Sequence, residues 1–258
     1  MKYLKLCLFC ALFAVFLVGC GNSSTSVSNG GESDDSAVSA ENAALPLEGV
    51  VICVDPGHGI TSEGGVEPIA PDATETRKKH STGTAGKEQT EEELNLSVGL
   101  LVRDLLEKQG ASVIMTRTTH ECDLSNIDRA NMAADNNADI VIRIHADGSE
   151  NSSIHGISVL IPGDQYISDT ALLDRSAALG KLILSSAVEA TGAENRGLTE
   201  RNDLTGFNWS VVPVALIEMG FMTNPEEDKL LADEDYQRKL ASSIVSATLE
   251  YFSLYPRN

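Results

Sequence analysis

Two periods of apolar residues run through the chain from about residue 47 onward. Val51-Ile52-Cys53-Val54 is a β-branched run that stops at Asp55-Pro56-Gly57. Val and Ile fit a packed, pleated surface, and Pro and Gly turn the chain away from it. The same pattern predicts strands at 111–117, 138–145, 156–162 and 212–218. Between them the period changes. Leu94, Val98, Leu101, Val102 and Leu105 recur at helical spacing over 91–108, with Thr90 as N-cap, acidic residues in the first turn and Gly110 as the stop. An Ala-rich helix is expected over 126–137. Two longer helices follow at 169–191, carrying Leu172, Leu179 and Ile183, and at 235–252, carrying Tyr236, Leu240 and Ile244. Strands alternating with helices predict an α/β fold: a single domain over 47–258, with a mostly parallel twisted sheet and helices on both faces. Residues 60–90 fit neither period. A loop of about thirty residues is long for a compact domain, and such loops tend to be functional or mobile.

The first 46 residues read differently. Lys2 and Lys5 precede an apolar run, Leu6–Val18, that is short for a bilayer span. This is the layout of an export signal. The run ends in Leu17-Val18-Gly19-Cys20, which resembles the bacterial lipobox, so residues 1–20 are expected to be a lipoprotein signal segment with Cys20 as the lipidated residue. Residues 21–46 are rich in Ser, Asn, Gly and acidic residues. They lack the apolar surface to offset ordering entropy and read as a flexible polar tether.

Charge and cysteine count narrow the field. The formal charge is −19, and becomes −21 once Lys2 and Lys5 leave with the signal. That excludes a general nucleic-acid binder, which needs cationic surface. Attachment to an anionic membrane surface would have to rest on the lipid. Only Cys53 and Cys122 remain for the folded domain, too few for a disulfide framework. Cys53 lies mid-strand and reads as a small core residue.

Candidate chemistry collects at strand ends. His58 follows the first strand, His145 closes the 138–145 strand, and Glu218 closes the 212–218 strand. Parallel strands bring such ends to one edge of a sheet, where α/β proteins bind ligands. A lone histidine after a turn could equally be hydrogen-bonded to nearby backbone. Two imidazoles and a carboxylate together suit a catalytic zinc with one open position, and a further carboxylate could act as general base.

Asp55-Pro56-Gly57-His58-Gly59 resembles the opening motif of the zinc-dependent N-acetylmuramoyl-L-alanine amidases of the type 3 family. The likeness continues through Glu91–Leu96, Thr116-Arg117, Leu124, Arg129, Asn131, Ala138-Asp139, Ile144-His145-Ala146, Asn195–Leu198 and Val212–Pro225. It departs in the long insert after His58 and in Asp147-Gly148 after the second histidine. The resemblance implies zinc held by His58, Glu91 and His145. It implies that water on the metal attacks the amide between N-acetylmuramic acid and the first L-alanine of the stem peptide, with Glu218 as the general base. Peptidoglycan would be the substrate, and export with a lipid anchor on the outer face of the cytoplasmic membrane or the envelope agrees with that. Helix register adds a reason for Glu91 among three adjacent glutamates. It lies three residues before Leu94 and seven before Val98, on the face that packs against the sheet. Glu92 and Glu93 are expected to be solvated.

The remaining residues have plainer readings. His80, His120 and His155 are expected at the surface, and Arg143 in a structural ion pair. Phe207 and Trp209 could flank a cleft or simply pack. No substrate-binding residue is identified. Two rival functions stay open: another wall hydrolase, such as a peptidase or deacetylase, or an inactive wall-binding protein on the same fold.

Overall fold

The computed structural model describes residues 44–257. The expected signal segment, most of the tether and Cys20 lie outside the described residues. No helix among those described is long and apolar enough to cross a membrane.

Among the described residues, eight strands and six helices follow one another as β1 (Val51–Pro56), β2 (Val66–Pro68), β3 (Thr76–Lys78), α1 (Glu91–Lys108), β4 (Ser112–Met115), α2 (Asn126–Asp135), β5 (Ile140–Asp147), β6 (Ile157–Pro162), α3 (Thr170–Thr191), β7 (Asn195–Arg201), α4 (Thr205–Asn208), β8 (Val214–Phe221), α5 (Pro225–Ala232) and α6 (Glu234–Leu254). Six strands form the main sheet in the order β4-β1-β5-β8-β6-β7. β4, β1, β5 and β8 run parallel, while β6 is antiparallel to β8 and carries β7 parallel to itself. The α/β class and the mostly parallel sheet hold.

Side-chain alternation assigns the two faces. Ile52 and Val54 of β1, Ile140, Ile142 and Ile144 of β5, and Ala215, Ile217 and Met219 of β8 enter the larger core under α1, α3 and α6. Cys53, Val141, Val214 and Leu216 point the other way, into a smaller core with Ala133 and Phe207 under α2 and α4. Burial pushes the Cys53 thiol up to about 12, so it stays a neutral packing group. Continuing the alternation by two residues places Asp55, Arg143, His145 and Glu218 on this second face, where the cover is thin and the strands end.

Residues 60–90 are more ordered than their pattern suggests. They contain the β2–β3 hairpin, paired Val66 to Lys78 and Pro68 to Thr76. The hairpin is tied to the body by polar contacts. The buried Glu67 carboxylate accepts from the Asn126 and Ile127 backbone amides at the start of α2, at 3.2 and 3.3 Å. Trp209 Nε1 donates to the Pro68 carbonyl at 3.0 Å, and Asn208 Nδ2 to that of Ile69 at 3.1 Å.

Candidate active site

The site begins with a buried ion network below the strand ends. Asp55 Oδ1 accepts from Arg129 Nη1 and Thr116 Oγ1, each at 2.6 Å, and Oδ2 accepts from Arg143 Nε at 2.8 Å. Burial alone would push this carboxyl up. Arg129 and Arg143, helped by Thr116, outweigh it and hold the group far below the ordinary carboxylate range. Arg143 thus sits in a structural ion pair, as its strand position suggested. Arg129 Nη2 also donates to the His58 carbonyl at 2.6 Å, and Arg117 Nη2 to that of Gly57 at 2.9 Å. Two guanidiniums therefore grip the turn that carries His58, whose φ of 62° is a left-handed conformation uncommon outside glycine. Gly57 is needed here, because a Cβ would run into the His145 ring.

Three side chains converge above this network. Glu91 opens α1, placed by the Thr90–Glu93 capping box. Its Oε1 lies 2.9 Å from His58 Nε2 and 3.0 Å from His145 Nδ1. The two imidazole rings meet edge to face with centroids 4.8 Å apart. Asn95 Nδ2 and the Ala146 amide also reach Glu91 Oε1, both at 3.2 Å, while the Thr84 amide reaches Oε2 at 2.8 Å. Burial pushes the Glu91 carboxyl up, but hydrogen bonds from His145 and His58 overcome that and hold it well below its usual value. For His145 burial dominates over the Glu91 hydrogen bond, lowering it to about 4, so the ring is neutral at pH 7.

These residues fit a metal ion. One donor atom from each of His58, Glu91 and His145 lies within 4.8 Å of the others. The Ser81 carbonyl, 2.8 Å from His58 Nδ1, can only accept, so that nitrogen donates to it and Nε2 is turned toward Glu91 Oε1. The buried His145 Nε2 has no hydrogen-bond partner. Two imidazoles and a carboxylate are a donor set suited to zinc.

Glu218 faces this group. It pairs in register with His145 across β5 and β8, so both side chains project from the same face. Its Oε2 is buried and unpartnered. Burial first, then the charges of Glu91 and Asp147, raises its carboxyl well above the ordinary value. All four residues line one open cleft of about 880 Å³. Its rim includes Ser81, Gly83 and Thr84 from the long insert, which folds over the His58–Glu91 pair.

Other residues fall elsewhere. Glu92 is buried rather than solvated: its carboxylate lies 3.1 Å from His120 Nδ1 and 3.6 Å from Arg117 Nη1. The chain after β4 covers a helix flank that periodicity counts as exposed. Glu93 is exposed, as expected, and serves the capping box. His155 pairs at the surface with Glu194, and His80 lines a small hollow beside His58. Phe207 is fully buried and packs. The roles of Ser81, Thr84 and Arg117 were not read from sequence. Thr116-Arg117 and Arg129 do stand among the family-like motifs, which was the available signal.

An open α/β sheet with two imidazoles and two carboxylates gathered at its strand ends is the framework of a hydrolase with a candidate metal centre. Comparison with known proteins narrows this. The family model described as N-acetylmuramoyl-L-alanine amidase matches residues 52–250. The germination-specific N-acetylmuramoyl-L-alanine amidase of Bacillus subtilis is 29% identical over 224 residues, covering 81% of this chain and 83% of that one. The crystal structure of the N-acetylmuramyl-L-alanine amidase Ami1 from Mycobacterium smegmatis superposes with a TM-score of 0.73 at 24% identity, covering 81% of this chain and 99% of that one, a likeness of fold. That of the N-acetylmuramoyl-L-alanine amidase from Clostridium difficile 630 gives 0.65 at 28% identity, covering 81% and 98%. The chain belongs to the N-acetylmuramoyl-L-alanine amidase family.

Proposed function

We propose that this protein is a cell-envelope peptidoglycan hydrolase that cleaves the amide between the lactyl group of N-acetylmuramic acid and the L-alanine of the stem peptide. The observation that carries the reading is the meeting of His58, Glu91 and His145 opposite Glu218 in one cleft of a family domain. His58, Glu91 and His145 would hold zinc. Bound there, zinc would supply Lewis acidity toward the scissile carbonyl and toward the attacking water. Glu218 accepts the proton of the attacking water and passes it to the amine of L-alanine as the C–N bond breaks. Burial raises its carboxyl above the ordinary value, which makes it a stronger base than a solvated glutamate. The Ser81 carbonyl orients His58, and Asn95 and the Thr84 amide orient Glu91.

Export and lipidation at Cys20 complete the proposal and are supported by the residue pattern of the first 46 positions. The test of the activity is end-group analysis of purified peptidoglycan after digestion. New free amines on L-alanine, with no new reducing ends and no acetate released, are expected. New amino groups elsewhere in the stem would indicate a peptidase, and released acetate a deacetylase.

A further inference from the structure

The cleft of this acidic chain has a cationic wall. Arg77 and Lys78 of β3, in the separate hairpin, and Arg201 of β7, the edge strand of the main sheet, all line it. The formal charge of the protein is −19, so this grouping runs against its global field. The wall is also held in place. Asn126 Nδ2 donates to the Lys79 carbonyl at 3.1 Å, and Glu67 anchors the opposite hairpin strand to α2. Arg201 is oriented by Asp203 through two bonds, Nε to Oδ1 at 2.7 Å and Nη2 to Oδ2 at 2.8 Å. Such a fork fixes the guanidinium plane. It leaves Nη1 of Arg201 with no hydrogen-bond partner among the described residues.

Two of the three charges have partners among the described residues and one does not. Arg77 pairs with Glu75 at 2.6 Å and Arg201 with Asp203, but Lys78 has no carboxylate within ion-pair distance among the described residues. Arg77 and Arg201 also line a second hollow of about 260 Å³, together with Glu75, Glu200 and Asp203. The unpaired Lys78 ammonium and the free Nη1 of Arg201 are the donors the wall offers to an anion from outside. Arg201 and Glu218 line the same cleft, and the charge of Arg201 opposes the upward push on that carboxyl.

We propose that Arg77, Lys78 and Arg201 form a carboxylate subsite that selects stem peptides bearing a free carboxylate beyond the first residue. Arg201 makes the directed contact, and Arg77 and Lys78 supply the surrounding field. The inference rests on the amidase reading, because the anion is a part of that substrate. A second consequence is that the insert between β1 and α1 determines specificity as well as covering the centre.

The test uses two soluble muramoyl peptides, identical except that one carboxylate is free in the first and a primary amide in the second. The full-length protein should favour the free carboxylate by about tenfold in kcat/KM, chiefly through KM, as one charge-assisted hydrogen bond warrants. In Arg201→Gln, and separately in the exposed hairpin variant Arg77→Gln/Lys78→Gln, the ratio should fall toward one. Lys78→Glu should bring it to one or below. Equal cleavage of both peptides by the wild-type protein would overturn the subsite and leave the amidase reading intact. An unchanged ratio in the hairpin and Arg201 variants would do the same. Cleavage of neither peptide, with peptidoglycan also intact, would overturn the amidase reading and the subsite with it.

Discussion

Substituting Asp55 tests whether the buried ion network supports the site. Asp55, Arg129 and Arg143 are 1%, 7% and 6% exposed, so solvent screens them little. One carboxylate serves both guanidiniums, and Asn would leave them with a neutral partner. Breaking a buried pair costs about 3–5 kcal/mol, because an uncompensated charge remains inside. For a domain of this size that corresponds to a fall in melting temperature of about 6–20 °C. The pH dependence follows from the depressed carboxyl of the folded state. Its stabilising contribution is complete above the unfolded value, near 4, and is lost as pH falls below that. The gap between wild type and Asp55→Asn should stay constant from about pH 8 to pH 5 and narrow only in stronger acid. Because Arg129 also holds the His58 carbonyl, activity should fall even where the variant remains folded. Thermal unfolding followed by circular dichroism across this pH range is the assay. A gap below about 1 kcal/mol at pH 7, with normal activity, would refute the argument.

Three further outcomes are expected. Glu91→Ala should lose most bound zinc and activity while Glu93→Ala keeps both, measured by elemental analysis and turnover; the reverse pattern would move the ligand by two positions. Gly57→Ala should lower both stability and activity, since its Cβ would collide with the His145 ring, and a folded, fully active variant in unfolding and activity assays would argue against that packing. Cys20→Ser should abolish lipid labelling and release the protein from the membrane fraction, whereas unchanged labelling would rule out Cys20 as the anchor.

What the sequence disclosed depended on how each element is stabilised. β1, β5 and β8 are continuous apolar runs because both faces of the sheet are covered, and their ends carried His58, His145 and Glu218 into view. β7 carries no apolar period: it lies at the sheet edge, and Leu198 is its one strongly apolar residue. The β2–β3 hairpin has three-residue strands and is held by Glu67, Trp209 and Asn208, contacts with partners far along the chain and no local period. α5 had a local signal, Asn224 as cap with Pro225 in its first turn, but its eight residues are too few for a convincing helical stripe. Glu92 was misplaced because helical periodicity describes the face toward the sheet and is silent about a loop wrapped over the flank. The left-handed backbone of His58 is likewise imposed by Arg117 and Arg129, whose reach no spacing rule encodes.

The most direct test of the central claim is to measure bound zinc and turnover together in Glu218→Gln. The amide fills the space of the carboxylate but cannot take a proton from water. The account predicts about one zinc per chain, as in the wild type, with turnover of peptidoglycan reduced by about 10²–10⁴-fold. Zinc well below the wild-type content would make Glu218 a ligand, and near-normal turnover would remove it from the reaction.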